Sequence, residues 1–210
     1  MKQDILIYER SSREYVTAEL HDDVSAEQLA EAESQWKPFR EQSLDRLFSR
    51  GKPPKRIHAL FQHFHWDWHK KAQMVLCTER PGVRCLGITL AGQWQGLAML
   101  DLAGHTAELG EDKGQPLIYV EFLESAPWNL KAICDEPRYG LTGRRLMEAV
   151  VRQSVEMGFG GRVGLFSLPQ AELFYERCGM THVAGETQLG MKWYEMTERG
   201  AIHLLEDSGE

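Results

Sequence analysis

The chain has 210 residues, of which 42% are hydrophobic and 26% charged, and this balance is ordinary for a soluble globular protein with one large domain. Its formal net charge of −7 excludes an overall electrostatic attraction to nucleic acid. No apolar run approaches the roughly 20 residues that cross a bilayer. We therefore expect neither nucleic acid nor a membrane as a partner.

The cysteines form neither a CxxC pair nor the spacing of a metal finger. They are Cys77, Cys85, Cys134 and Cys178. Together with the absence of a signal peptide, this pattern predicts reduced thiols and a cytoplasmic location.

The first predicted elements are a strand and a long helical segment. Residues 4–10 (DILIYER) have the composition of a strand. A helical segment is expected over residues 25–72, before the hairpin described below. Its start is indicated by Ser25 and, three residues later, Gln28, because this pair is the signature of a capping box.

Two breaks divide this helical segment. Pro38 is expected to end or bend the first helix, and the sequence RGKPPK at 50–55 to stop it. A second, aromatic-rich helix is expected over residues 56–72. It contains His65 and His69, whose spacing could place both on one metal ion. No HExxH motif joins them, so the helix is predicted to pack on a sheet and no metal site is predicted.

From residue 85 the hydrophobic pattern changes to a period of two, which indicates strands. Residues 85–90 and 93–100 are predicted to form a hairpin with its tip at Ala91 and Gly92. Residues 116–129 carry the strongest strand signal, because β-branched and aromatic residues are concentrated there. The elements predicted next are a turn and helix over 137–157, a strand over 162–167, a helix over 170–179 and a strand over 191–197. An acidic tail follows over 201–210, and its residues 204–210 are expected to be frayed.

The sequence RYGLTGRRLM (138–147) is a glycine-containing turn directly before the predicted helix. The first amides of a helix have no partner within it and carry the positive end of the helix dipole, so they can hold an anion. Gly140 and Gly143 let a ligand approach the backbone closely, and Arg138, Arg144 and Arg145 add positive charge. A plain start of a helix with surface arginines is the alternative interpretation.

This turn resembles the pyrophosphate loop of the GNAT superfamily of acyl-CoA-dependent N-acyltransferases, which has the form Q/R-x-x-G-x-G/A before a helix. Arg138 fills the first position and Gly143 the last, whereas Leu141 stands where the middle glycine is expected. The resemblance implies acetyl-CoA as cosubstrate. The contacts it implies for the cofactor are Ser125, Ala126, Arg138, Tyr139, Gly140, Leu141, Thr142, Gly143 and Arg144.

The sequence AELFYERCGM (171–180) resembles a second motif of the superfamily, A-x-x-F-Y-E-K-x-G-F. The resemblance implies that Tyr175 donates a proton to the departing CoA thiolate. Two positions depart from the pattern: Met180 replaces the final aromatic residue, and Leu168 stands where an asparagine is often found. The alternative interpretation is a half-buried tyrosine that packs its helix against the sheet.

The long strand supplies two candidates for the catalytic base, Glu121 and Glu124. An odd spacing places them on opposite faces of a strand, so only one can face an acceptor amine. The resemblance favours Glu121 as the base, and Glu124 remains open. A carboxylate in so apolar a strand is expected to have a raised pKa, which suits a base near pH 7. Alternatively, both glutamates pair with arginines at the edge of the sheet.

Taken together, the pattern and the resemblance predict an α/β fold: a single GNAT-like domain over residues 1–200. Its mixed, mostly antiparallel sheet would splay in a V between strands 4 and 5 and be flanked by helices. The implied function is an N-acetyltransferase that moves an acetyl group from acetyl-CoA to a small-molecule or protein amine by direct attack. A non-catalytic acyl-CoA-binding regulatory or scaffold module is the alternative, and a homodimer is compatible with the sequence.

Overall fold

A computed structural model describes residues 2–49, 66–78 and 82–207, and it has a mixed α/β fold with a mostly antiparallel sheet flanked by helices. The strands of the described part are β1 (Lys2–Glu9), β2 (Glu14–His21), β3 (Val83–Leu90), β4 (Gln93–Asp101), β5 (Ile118–Ser125), β6 (Tyr139–Gly140), β7 (Val163–Ser167), β8 (Thr181–Gln188) and β9 (Met191–Met196). Its α-helices are α1 (Ala26–Ser49), α2 (Trp68–Thr78), α3 (Thr142–Glu156), α4 (Glu172–Arg177) and α5 (Glu198–Glu206).

The chain divides into two compact units. The first comprises Met1–Pro81, Cys85–Leu97 and Glu124–Gly143, and the second Gly82–Arg84, Ala98–Leu123 and Arg144–Glu210. The strand order is β6-β1-β2-β3-β4 in the first unit and β4-β5-β7-β9-β8 in the second. The first unit buries the large side chains of Trp36 and Trp68, whereas the second buries Leu146, Val150 and Leu165.

Strands β5 and β7 of the second unit pair in parallel at one end. Ile118 lies opposite Val163, and Tyr119 lies opposite Gly164. Beyond this pairing β5 continues to Ser125, whereas β7 pairs antiparallel with β9. The parallel pairing thus ends at Tyr119 and Gly164, as strands that splay apart would require, and the V-shaped splay itself stays a prediction.

Two local predictions from the first half of the chain are confirmed. The backbone N–H of Ser25 donates to Gln28 Oε1 at 2.9 Å, and the N–H of Gln28 donates to Ser25 Oγ at 3.3 Å, which is a capping box. Strands β3 and β4 are joined at Ala91 and Gly92, with φ of 49° and 75°. Positive φ at both central residues is typical of a tight hairpin turn.

Helix α1 continues through Pro38 to Ser49, so of the two alternatives predicted at this proline, an end or a bend, the end is excluded. A proline inside a helix costs about 3 kcal/mol, because it removes one hydrogen bond and crowds the preceding turn. The fully buried Leu29, Ala32 and Trp36 lie on the same helix and offset this cost by their burial. The predicted stop at 50–55 and the second helix as far as residue 65, with His65, lie outside the described residues; α2 begins at Trp68.

Three further elements differ from the prediction. Strand β2 was not predicted from the sequence, and it pairs with β1 along its whole length. Tyr139 and Gly140 were expected in a turn, and they form β6 on the other edge of β1. The C-terminal segment forms α5 rather than a frayed tail, because Thr197 Oγ1 accepts the N–H of Gly200 at 3.1 Å and Ala201 and Leu204 are buried. Within the described residues, no helix is long and apolar enough to cross a membrane.

Candidate functional site

A single residue with a left-handed backbone, Leu141, lies between β6 and α3. Gly140 ends β6, and Leu141 has a φ of 67°, in the left-handed region that glycine adopts most easily. Leu141 is exposed, so its side chain can adopt this conformation without displacing a packed neighbour. The position where the middle glycine was expected therefore keeps a glycine-like backbone at the cost of some strain.

Thr142 begins α3 directly after this residue. Its side chain is 3% exposed, and within the described structure its Oγ1 has no hydrogen-bond partner. The first amides of α3 also lack intrahelical acceptors, as at every helix start. The buried Thr142 hydroxyl and the first amides of α3, which lack intrahelical acceptors, lie at the positive end of the dipole of this 15-residue helix. Together they form an environment that favours the binding of an anion.

Arg138 lies over two aromatic rings at the start of the loop. Its guanidinium carbon is 5.3 Å from the centroid of the Trp128 ring and 5.8 Å from that of Phe39. Both distances are within the range of cation–π attraction. Arg138 itself is exposed, so the rings orient the guanidinium while its N–H groups remain accessible to a phosphate.

In the first unit, Gln95 accepts hydrogen bonds from residues that follow the end of β5. Its Oε1 accepts the Trp128 indole N–H at 2.9 Å and the Asn129 side-chain amide at 3.1 Å, and its carbonyl accepts the N–H of Ala126 at 2.9 Å. Asn129 Oδ1 in turn accepts the N–H of Tyr139 at 3.0 Å. Trp128 and Asn129 thus connect β4 to the segment before α3. The N–H of Ala126 donates to Gln95 and its carbonyl accepts the N–H of Asn129 at 2.8 Å, so the cofactor contacts predicted at Ala126 and Ser125 stay predictions.

Arg144 and Arg145 pair with Glu148 in the second unit. Arg144 Nε lies 2.9 Å from Glu148 Oε1, and Arg145 NH1 lies 2.7 Å from Oε2 of the same, fully buried carboxylate. Arg144 NH2 also lies 3.7 Å from Asp207. One buried carboxylate therefore offsets part of the positive charge that the sequence assigns to the anion site. The cofactor contact of Arg144 stays a prediction.

Glu124 is the buried carboxylate of β5, with 4% of its surface exposed. Its Oε2 accepts the indole N–H of Trp68 at 2.7 Å, and its Oε1 lies 3.9 Å from Arg40 NH2. Burial raises the pKa of Glu124 to about 7, while Arg40, Trp68 and Lys71 act in the opposite direction and Glu33 adds to the rise. The raised pKa that the sequence led us to expect in this strand is found at Glu124.

Glu121 lies on the same strand and is half-buried, with interaction partners of its own. Its role as a base stays a prediction. Apart from the apolar periodicity of the helix predicted over 56–72, no sequence pattern indicated which residues contact Glu124. Trp68 was recognised as part of an aromatic helix, but nothing in the sequence connected it to a glutamate 56 residues away.

Tyr175 lies on α4, and its side chain is 7% exposed. Burial raises the pKa of Tyr175 well above its ordinary value, and Cys178 adds to the rise. Its hydroxyl is therefore protonated throughout the neutral range, as a proton donor must be. Burial likewise raises the pKa of the Cys178 thiol to about 11, so this cysteine is not a thiolate nucleophile at neutral pH.

No protein-family model matches the chain, and no curated protein matches its sequence. Solved structures do match its fold. The GNAT domain of S. lividans PAT superposes with a TM-score of 0.56 at 14% identity, covering 93% of this chain and 96% of that one. The PaiA N-acetyltransferase from Thermoplasma acidophilum, solved with coenzyme A, gives 0.51 at 14% identity, with 87% and 99% covered. An uncharacterized protein from Bacillus halodurans gives 0.55 at 9% identity, with 97% and 95% covered.

These similarities extend over nearly the whole of each chain at a low sequence identity. Of the three structures named here, two are an acetyltransferase and a GNAT domain by name. The protein described here therefore has the fold of the GNAT acetyltransferases, as the two sequence motifs led us to expect.

Proposed function

We propose that this protein is an acetyl-CoA-dependent N-acetyltransferase of the GNAT type. The observation that carries the proposal is the start of α3, where Leu141 has a left-handed backbone and the buried Thr142 hydroxyl has no partner in the described structure. An anion is the ligand that such a surrounding favours. The similarly folded PaiA enzyme was solved with coenzyme A, whose pyrophosphate is an anion of this kind.

The amides of Leu141, Thr142 and Gly143 would hold the pyrophosphate, because those of Arg138 and Tyr139 already donate to Trp128 and Asn129. The exposed guanidinium of Arg138 would add a charge-assisted contact. This assignment follows the resemblance at Arg138 and Gly143. The stacking of Arg138 on Trp128 and Phe39 supports it, because an oriented guanidinium loses less conformational freedom on binding.

For the base we favour Glu124, with Glu121 as the alternative. A carboxylate with a pKa of about 7 is half ionised at neutral pH and is still basic enough to accept a proton from an ammonium. In this scheme the base removes a proton from the ammonium form of the acceptor, directly or through water, which leaves a neutral amine. The amine nitrogen then forms a bond to the thioester carbonyl carbon, and the carbon–sulfur bond breaks with its electron pair on sulfur. Tyr175 gives its proton to the departing sulfur, and the excess proton on the nitrogen passes to the Tyr175 phenolate, directly or through water.

Binding of acetyl-CoA tests the first part of this proposal. At a hundredfold excess over its dissociation constant, acetyl-CoA should stabilise the fold by about 2.7 kcal/mol through mass action. A thermal-shift titration measures this effect, and acetylated pantetheine without the phosphates is the matched control. If the two ligands stabilise the protein equally, or if neither does, the phosphates do not bind at this loop.

Replacing Tyr175 by phenylalanine tests the proposed acid. The change keeps the ring and most of the packing and removes only the hydroxyl, so the melting temperature should stay near that of the parent. We expect kcat to fall about 10²-fold or more, within the range of general acid catalysis, and KM for acetyl-CoA to change little. Steady-state kinetics with the preferred amine provide the measurement. A loss of stability with unchanged kcat would make the hydroxyl structural.

A further inference from the structure

A network of buried charged and aromatic side chains joins α1, α2 and β5 in the first unit. Its members are Glu33, Arg40, Trp68 and Glu124, and each of the four is at most 5% exposed. Buried ionisable groups are costly unless they are paired and hydrogen-bonded, so such a network is unusual in a part of a protein that only needs to pack. Neither the residues proposed to bind the phosphates nor Tyr175 belongs to this network.

Trp68 donates two hydrogen bonds within this network. Its backbone N–H donates to Glu33 Oε2 at 3.0 Å, and its indole N–H donates to Glu124 Oε2 at 2.7 Å. The first bond fixes the start of α2 against α1, and the second joins the indole to the strand. The indole ring of Trp68 also packs edge-on against Trp36, with ring centroids 6.4 Å apart. The direction of the indole N–H is therefore determined by the packing around it.

Arg40 lies between the two carboxylates. Its NH2 is 3.5 Å from Glu33 Oε2 and 3.9 Å from Glu124 Oε1, while its NH1 donates to the carbonyl of Trp66 at 2.7 Å. Arg40 is thus hydrogen-bonded to Glu33 and Trp66, whereas its contact with Glu124 Oε1 is an ion pair longer than a hydrogen bond. One oxygen of Glu124, Oε2, is held by the indole, and the other, Oε1, is not.

We propose that Trp68 is a positioning residue for Glu124, holding Oε2 through its indole N–H so that Oε1 is the oxygen that receives the proton of the amine. This inference rests on the proposed function, because it takes Glu124 as the base. It assigns a role to the aromatic segment that the sequence predicted only as a packing helix. It also divides the carboxylate into one structural and one reactive oxygen.

The electrostatic consequence of this contact has a definite sign. The groups that act on Glu124 are Glu33 and Arg40 from α1, and Trp68 and Lys71 from α2. A hydrogen bond to a carboxylate stabilises its charged form and lowers its pKa. Loss of the indole N–H should therefore raise the pKa of Glu124 and reduce the fraction of ionised base at neutral pH.

The experiment compares two tryptophan-to-phenylalanine variants. Trp68→Phe removes the N–H that bonds Glu124, whereas Trp36→Phe removes an equally buried indole N–H that donates to the backbone carbonyl of Trp94 at 2.9 Å. In Trp68→Phe the acidic limb of kcat/KM against pH should move upward by about one to two pH units, as expected for a hydrogen bond to a charged group. At high pH its activity should approach that of the parent. In Trp36→Phe the limb should not move.

A limb that stays in place in Trp68→Phe, or that moves equally in both variants, would overturn the proposal. A second readout does not depend on activity or on the folding of a variant. In the parent, the indole N–H resonance of Trp68 in ¹H–¹⁵N spectra should titrate with a midpoint near pH 7 and should stop titrating in Glu124→Gln. The Trp36 resonance should show no such titration.

The two readouts separate failure of this inference from failure of the proposed function. If the Trp68 resonance titrates but the protein transfers no acetyl group, the contact between Trp68 and Glu124 is supported and the proposed function is refuted. Acetyl transfer that depends on Glu124, with a Trp68 resonance that does not change between pH 5 and 9, would retain the function and refute the role of Trp68.

Discussion

Replacing Gly143 by glutamate is expected to abolish the binding of acetyl-CoA. Gly143 is the second residue of α3, directly after Thr142, and it fills the last position of the pyrophosphate-loop pattern. A glutamate there would place both a side chain and a negative charge where the phosphates are proposed to bind. Isothermal titration calorimetry with acetyl-CoA measures the loss.

Two controls make this result specific. An acidic residue in the first turn of a helix interacts favourably with the helix dipole and replaces a poor helix former, so Gly143→Glu should melt at or above the temperature of the parent. Gly143→Ala, which the G/A position of the pattern allows, should still bind. If Gly143→Glu binds acetyl-CoA as tightly as the parent does, the loop has been assigned incorrectly.

The second large effect is expected at Glu124. Replacing Glu124 by glutamine keeps an oxygen that can accept the Trp68 indole N–H and removes the ability to take a proton. We expect kcat/KM at neutral pH to fall about 10²- to 10⁴-fold, the usual contribution of a general base, with acetyl-CoA binding nearly unchanged. The loss should shrink at high pH, where more of the amine is already deprotonated. Kinetics from pH 5.5 to 9.5 provide the measurement.

Glu121→Gln is the matched control on the same strand. A large loss of activity in Glu121→Gln and none in Glu124→Gln would return the role of base to Glu121.

Stability gives a further check on Glu124. A carboxyl whose pKa rises from 4.5 to about 7 on folding stabilises the fold below the lower value and loses that contribution as pH rises through the higher one. Between pH 4.5 and pH 8 the free energy of unfolding of the parent should therefore fall by about 3 kcal/mol relative to that of Glu124→Gln, at 1.36 kcal/mol per pH unit.

Local chemistry made several features predictable. The capping box at Ser25 and the hairpin tip at Ala91 and Gly92 depend on residues only a few positions apart, and both are present as predicted. The start of α3 directly after a glycine-containing segment was predicted for the same reason, and the anion site there stays a prediction. The left-handed backbone of Leu141 is set by the turn between β6 and α3 and not by the preference of leucine itself.

Features that depend on distant partners were not predictable. Strand β2 is stable because β1 and β3 flank it, and its own polar residues gave no clear strand signal. Helix α1 passes through Pro38 because burial along the rest of the helix offsets the local cost. The pairing of Arg144 with Glu148 could have been predicted from the sequence, since the two residues are four positions apart on one helix. The bond from Trp68 to Glu124 was not, because it joins segments 56 residues apart.

The most direct test of the proposed activity is the transfer of a labelled acetyl group. The protein is incubated with ¹³C-acetyl-CoA and a panel of amines that includes a polyamine, an aminoglycoside and a lysine-containing peptide, and the products are measured by mass spectrometry. We predict that at least one amine class yields a labelled N-acetyl product in amounts equal to the free CoA released, and that Gly143→Glu yields neither. Acetyl-CoA that binds to the protein but remains intact with every amine would contradict the proposal and identify the protein as a non-catalytic acyl-CoA-binding module.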